Sequence, residues 1–256
     1  MRIFLPSRVH KFILKKSAIF ILIGCSLMLS CRKENRWDAF KRTGERVTET
    51  RTLPGFNKIY LEDNIDIEIS YDTVQSIKVE GGKNLVGLIT TEVINNELRV
   101  SNRNRCNWAR SYKRGEIKVY VSVPTLRNIT QYGSGTISST DTIYCDTLNL
   151  LTHESGDVDL ILKANIIYSQ LHGSSDVTLR GISLLHGNYH LGTGYLHCED
   201  LLSIVVWTTS DASGNEYYNA TTELSATINW AGDVYYKGSP ATHLFGEGKG
   251  KLIQQN

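Results

Sequence analysis

The sequence predicts an all-β fold, a parallel β-solenoid (right-handed β-helix) of short coils of about 19 residues with an inserted β-hairpin region. Three observations predict it. First, a tetrapeptide recurs: Tyr132-Gly133-Ser134-Gly135, His153-Glu154-Ser155-Gly156, His172-Gly173-Ser174-Ser175, Leu191-Gly192-Thr193-Gly194, Asp211-Ala212-Ser213-Gly214 and Asn229-Trp230-Ala231-Gly232. Its last positions lie 21, 19, 19, 20 and 18 residues apart, a period that signals one structural coil stacked on the next. Second, a short apolar alternation follows most corners: Val158/Leu160, Val177/Leu179, Leu196/Cys198 and Val234/Tyr236. Period two over so few residues is a strand with one buried face. Third, the period is too short for helical repeats, which need roughly 33 residues or more.

From the N-terminus, residues 1–30 read as an export signal. Arg2, Arg8, Lys11, Lys15 and Lys16 form a basic region, and an uncharged apolar run over 17–30 follows, short for a bilayer span. The run ends at Leu29-Ser30-Cys31, similar to a bacterial lipoprotein signal, in which Cys31 becomes the lipidated N-terminus. Leu22-Ile23-Gly24-Cys25 is a competing match, but it leaves a shorter apolar run after Lys16; a plain secretory signal or an anchor helix are further alternatives. The whole chain holds 28 basic and 26 acidic residues, and cleavage leaves 23 basic against 26 acidic. The basicity therefore belongs to targeting and gives no sign of nucleic acid as a partner. The partners expected are the membrane, through the N-terminal lipid, and a glycan or protein ligand.

Residues 31–53 form a polar tether. Residues 54–252 form the solenoid domain, whose prolines (Pro54, Pro124, Pro240) sit at seams, where a missing N–H does no harm to a ladder. Asp63-Asn64-Ile65-Asp66-Ile67 resembles a degenerate first coil. Strand-like stretches at 76–80, 88–94, 97–101 and 116–123 make 71–123 an insertion of β-hairpins, with Asn95-Asn96 as one turn. In the array each coil is expected to hold two short strands with a positive-φ Gly/Ser corner between them, the earlier strands including Leu148-Leu150, Ile166-Tyr168-Leu171, Ile204-Val206 and Leu224-Ala226-Ile228. The third tetrapeptide position is always small, which predicts a tight internal column there. Glu216 stands where other coils have Val or Leu, and implies a distorted coil or a slipped register. Gly248-Lys249-Gly250-Lys251-Leu252 reads as a worn last coil capping the core, and no helix is expected after residue 30.

The residues Phe56-Asn57-Lys58-Ile59, Asn64-Ile65-Asp66-Ile67, Ile77-Lys78-Val79-Glu80-Gly81, the stretch from Val119 to Pro124-Thr125-Leu126, and the repeats through Tyr236-Lys237-Gly238-Ser239-Pro240 resemble the family called putative auto-transporter adhesin, head GIN domain. The resemblance covers about residues 50–250. It implies a bacterial β-solenoid, often an exported lipoprotein of Bacteroidetes-type bacteria, placed at the cell envelope. It implies no catalytic residues.

Candidate chemistry is sparse. His153 and His172 share a position in adjacent coils, close enough for a metal pair, but two ligands without a third read as a surface ladder. Asp157 and Asp176 are likewise in register, either as turn residues or as the acidic face of a β-helix enzyme. Basic residues Arg99, Arg103, Arg105, Arg110, Lys113, Arg114 and Lys118 surround Trp108 and Tyr112. Trp108, Arg110, Tyr112 and Arg114 are thus candidates for an anionic glycan contact, or a solvated loop. Tyr195, Tyr217, Tyr218, Tyr235, Tyr236, Trp207 and Trp230 make the later coils aromatic, with Tyr217 and Tyr235 the candidate binding residues. Cys198 and Cys145 read as buried small apolar residues, and with Cys106 the count is odd. No cofactor and no metal are expected. The functional expectation is a lipid-anchored envelope solenoid presenting an adhesive surface, without catalysis. A β-helix carbohydrate-active enzyme and a structural or signalling envelope component are the alternatives.

Overall fold

A computed structural model describes residues 43–104 and 116–255. Cys25, Cys31, Cys106, Trp108, Arg110, Tyr112 and Arg114 lie outside the described residues. The array is built from five long strands, β9 (Ile137–Thr152), β10 (Val158–Gly173), β11 (Val177–Gly192), β12 (Leu196–Ser210) and β13 (Glu216–Ile228). Each pairs in parallel with the next, so one coil stacks directly on another. The inward column Ile67, Ile137, Val158, Val177, Leu196, Glu216, Val234, Leu252 runs through the ladder. The expected period and parallel β-solenoid are therefore present.

The internal plan of a coil differs from the expectation of two short strands. A coil of the array carries one long strand that bends without losing its ladder, and the tetrapeptide is the interruption. The bend is visible as a change of parity. In β10, Val158, Leu160, Leu162 and Ala164 are buried, and then Ile167, Ser169 and Leu171. Side chains alternate along a strand, so an inward row can turn a corner only by spending one extra residue. The shift puts Ile166, Tyr168 and Ile204 on the outer side, where the sequence pattern alone had put them with the inward strands.

The corner itself also differs. Its third position is exposed at Ser155, Ser174, Thr193, Ser213 and Ala231. The fourth is buried at Gly135, Gly156, Ser175, Gly194, Gly214 and Gly232. A Cβ on Gly194 would stand 1.9 Å from Ser175 O, and one on Gly214 1.6 Å from Gly194 O. The tight column is thus the fourth position, and its cause is backbone approaching backbone. Positive φ, the expected reason for glycine, occurs in these corners at Gly173 alone.

The N-terminal region caps the solenoid and adds to it. β2 (Lys58–Asp63) and β3 (Asp66–Tyr71) form the anticipated early coil, parallel to β8 (Asn128–Gly133) and to β9. β6 (Glu97–Asn102) and β7 (Lys118–Val123) stack in parallel on the other side of β2 and β3, so residues 71–123 contribute a coil as well as hairpins. β5 (Ile89–Ile94) pairs antiparallel with β6 through Asn95-Asn96, both at positive φ as a tight hairpin requires. β4 (Ser76–Gly82) pairs antiparallel with β7, and β1 (Arg46–Arg51) with β4. One helical turn, α1 (Lys83–Val86), follows β4 and is the departure from the all-strand expectation.

At the other end, β14 (Val234–Lys237) and β15 (Ala241–Phe245) pair with β13, and β16 (Leu252–Gln254) pairs with β14. The last segment is a coil in register, as its Gly250-Lys251-Leu252 pattern implied. It does not close the end: Leu244 and Phe245 of β15 remain 55% and 57% exposed.

Candidate functional site

Most residues singled out by sequence carry structural partners. His153 stacks between Tyr132 (4.0 Å between ring centres) and His172 (5.1 Å), so the histidine pair is one part of an aromatic ladder. Partial burial, and then the neighbouring His172, hold His153 below its ordinary pKa. Among the described residues no group of three or more His, Cys, Asp or Glu is placed to hold a metal. Asp157 and Asp176 each accept a backbone N–H from the following coil: Asp176 N donates to Asp157 Oδ1 (3.2 Å), and Tyr195 N to Asp176 Oδ1 (2.9 Å). Asp66, Asn215 and Asp233 do the same elsewhere. This is the turn role of these carboxylates. Of the basic cluster, Arg99 and Lys118 pair with Glu97 and Glu68 and lie over the rings of Tyr60 and Tyr120, and Arg103 is exposed.

Tyr217 and Tyr235 stack in one outward column with His197, at 5.0 Å between successive ring centres and near-parallel planes. Their ring faces meet one another and their edges meet solvent. Tyr218, next in sequence, points inward and is buried. Cys198 is buried as expected, and Cys145 is half-buried; both are free thiols, and burial pushes the Cys145 thiol up to about 11.

Exposed aromatic rings also lie on the side of the coils that follows the bend. There the outward column runs Asn149, Tyr168, Gly187, Trp207, Ser225. Tyr168 is 43% exposed and Trp207 50%. Gly187 has no side chain between them, and the Tyr168 ring leans over it: a Cβ there would meet Tyr168 Cδ1 at 2.9 Å. The indole N–H of Trp207 donates to Glu223 Oε1 (3.2 Å), which fixes the ring. Gln170, Tyr189, Thr209 and Thr227 complete a shallow slot. Tyr189 is held by its hydroxyl, which donates to Asp211 Oδ2 (2.9 Å). Trp207 is among the aromatics evident in the sequence, whereas the sequence pattern places Tyr168 in an inward strand. The parity change at the bend is the missing signal.

Beneath this slot the core turns polar, a feature visible in the sequence only as the Glu216 mismatch. Glu216 itself pairs in line with Leu196 and Val234 and is fully buried. The ladder from β12 to β13 shifts register just beyond it, between Cys198 and Leu202 and again between Ser203 and Val205, so this coil is distorted as the mismatch implied. Thr208 Oγ1 (2.6 Å) and Tyr218 OH (2.7 Å) donate to Glu216 Oε2, and His190 Nδ1 lies 3.2 Å from Oε1. Burial by itself raises the Glu216 carboxyl, but His190, Thr208 and Tyr218 outweigh it and leave the pKa below its ordinary value. His186, also fully buried, bonds through Nε2 to Ser169 Oγ (2.9 Å), which donates to Asn188 Oδ1 (2.7 Å). Its Nδ1 has no partner, and burial lowers its pKa to about 4. Ser169, His186, Asn188, His190 and Thr208 are the inward residues of the post-bend strands, legible once the parity is corrected.

Among known proteins, the putative auto-transporter adhesin, head GIN domain family (DUF2807) matches residues 55–240. A putative adhesin from Bacteroides fragilis superposes with a TM-score of 0.75 at 25% identity, covering 82% of this chain and 97% of its own. A putative adhesin from Parabacteroides merdae (TM-score 0.63, 18% identity, 84% and 98% covered) and a putative lipid binding protein from Parabacteroides distasonis (0.64, 17%, 83% and 98%) share the fold. No curated protein matches. The profile match over most of the chain, on a solenoid of the same architecture, places this chain in the putative auto-transporter adhesin, head GIN domain family.

Proposed function

We propose that the chain is a lipid-anchored protein of the bacterial cell envelope that works by binding, without catalysis, through the outward side of its solenoid. The observation that carries the reading is the rigid outer ladder on which Tyr168 and Trp207 hold half-exposed aromatic surface to solvent. Such rings are the commonest anchors of recognition surfaces. The carboxylates that a β-helix enzyme would need, Asp157 and Asp176, are occupied in holding the backbone of the next coil. Family membership supports an adhesin-like role at the envelope. Anchoring rests on Cys31 after the apolar run over 17–30.

Two measurements test this. A fatty-acid label should enter the full-length protein in cells, vanish in Cys31→Ala and persist in Cys25→Ala; label lost only in Cys25→Ala moves the anchor, and no label at all removes it. The full mature protein should be retained by one or more surface glycans in a mixed bacterial and host panel while releasing no shortened product. Release of product would replace binding with catalysis.

A further inference from the structure

We infer that the Tyr168–Gly187–Trp207 slot is a subsite for an extended, uncharged glycan, lying across the coils along the stacking direction. The inference rests on the binding role proposed above and names its ligand class.

Three features of the slot select this chemistry. The first is spacing. Tyr168 and Trp207 belong to coils two steps apart, about 9.6 Å between their backbones at the usual strand separation. Gly187 stands between them in the same column. With the Tyr168 ring leaning over Gly187, the two rings fall within that span, on the scale of one to two sugar units of a stretched chain, and aromatic rings accept the apolar face of a pyranose. A compact ligand would need a pocket with walls, and this surface is a shallow slot.

The second is charge. On the post-bend side of β9–β13, the outward residues are Thr147, Asn149 and Leu151, then Ile166, Tyr168 and Gln170, then Leu185, Gly187 and Tyr189, then Val205, Trp207 and Thr209, then Glu223, Ser225 and Thr227. None is Lys or Arg, although basic residues are abundant elsewhere in the chain. Glu223 is the one carboxylate, and it is engaged by the Trp207 indole. An anionic glycan would find no counter-charge here, and a basic peptide almost none. Hydroxyl groups and an amide, from Gln170, Thr209, Ser225 and Thr227, match the donors and acceptors of a neutral sugar.

The third is rigidity. Each ring is locked, Trp207 by its indole hydrogen bond and Tyr168 by its seat over Gly187. Pre-ordered rings lose little freedom on binding, which favours weak ligands that repeat many times.

Affinity electrophoresis of the full mature protein tests the inference. The gels carry soluble neutral β-linked polysaccharides (hydroxyethylcellulose, arabinoxylan, galactomannan) or polygalacturonate as the charged arm. One or more neutral gels should retard the native protein, and polygalacturonate should not. Trp207→Ala and Tyr168→Ala should each weaken retardation by about tenfold or more, as loss of an aromatic anchor does. Gly187→Val, which pushes the Tyr168 ring off its seat without removing it, should weaken it too. Tyr144→Ala, an exposed ring on the pre-bend side of β9, should leave it unchanged, and unaltered β-type circular dichroism should accompany every variant. Absence of retardation in all neutral gels overturns the inference, as does equal retardation of native and slot variants. Retardation in polygalacturonate alone also overturns the ligand class while leaving a binding role intact. Shortened polysaccharide recovered from the gel would instead bring down the binding role itself.

Discussion

Glu216 and His186 occupy columns that are otherwise aliphatic through β9–β13, yet their removal should have opposite consequences. Glu216 replaces Val or Leu in its column, and four neighbouring groups, Asn188, His190, Thr208 and Tyr218, direct hydrogen bonds to it. Glu216→Leu restores the repeat pattern but leaves those groups buried without an acceptor. Breaking a buried polar cluster from one side costs about 3–5 kcal/mol. His186 stands among Leu148, Ile167, Val206 and Leu224, with one nitrogen unpartnered. Its folded pKa of about 4 lies below the ordinary 6.5, so the unfolded chain binds its proton first as pH falls. The contribution is fully present above about pH 6.5 and is lost progressively down to about pH 4, a change on the order of 3 kcal/mol. Glu216 has the same sign, being depressed, and its contribution disappears at still lower pH. Urea midpoints measured from pH 8 to pH 4 should fall for the native protein. His186→Leu should flatten that slope and match or exceed the native midpoint at pH 5, whereas Glu216→Leu should lie well below the native at pH 7. A parallel pH slope in His186→Leu would assign the titration to other groups.

At the scale of one coil, the repeat length was legible because each inward residue recurs once per turn, and the interval is too short for a pair of helices. The reason for the glycines was not legible, because sequence shows that a residue is small without showing which atom crowds it. Small residues at the third position of the corner face solvent, and the fourth position carries the constraint. Slot and polar core were hidden for a related reason: a bent strand changes parity, and a reading with fixed alternation assigns Tyr168 and Ser169 to the wrong sides. The corner geometry gives a paired prediction. Gly194→Ala puts a methyl 1.9 Å from Ser175 O, a clash with backbone that no rotamer relieves. The cost should reach or exceed the roughly 1–3 kcal/mol of ordinary overpacking. Ser174→Phe projects from an exposed corner and should stay within about 0.5 kcal/mol of the native protein. Thermal melts of the two variants decide it, and equal destabilisation would mean that the third position is internal after all.

Over the molecule as a whole, the two ends of the ladder are finished differently. A solenoid distributes its stability among neighbouring coils, so a terminal coil is held from one side unless something covers it. At the N-terminal end, antiparallel β1 and β4 extend the β7 edge and β5 covers the β6 edge, with Val79, Val86 and Leu98 buried among them. At the C-terminal end, among the described strands, β15 pairs with β13 alone and β16 with β14 alone. Leu244 sits in the column of Leu150, Ser169, Asn188, Thr208 and Ala226, an inward row, yet more than half of it meets solvent. Local opening is least costly where few apolar contacts must be broken. Backbone amides of residues 241–254 should therefore exchange with solvent first, at an opening free energy well below that of β10 and β11, and protection should rise coil by coil toward β9. Hydrogen exchange followed by mass spectrometry of peptides from the full mature protein measures the gradient directly. Uniform protection from β9 to β16 would mean that the solenoid opens as one cooperative unit. Protection of 241–254 that rises with protein concentration would mean instead that this uncovered edge is closed by a second molecule.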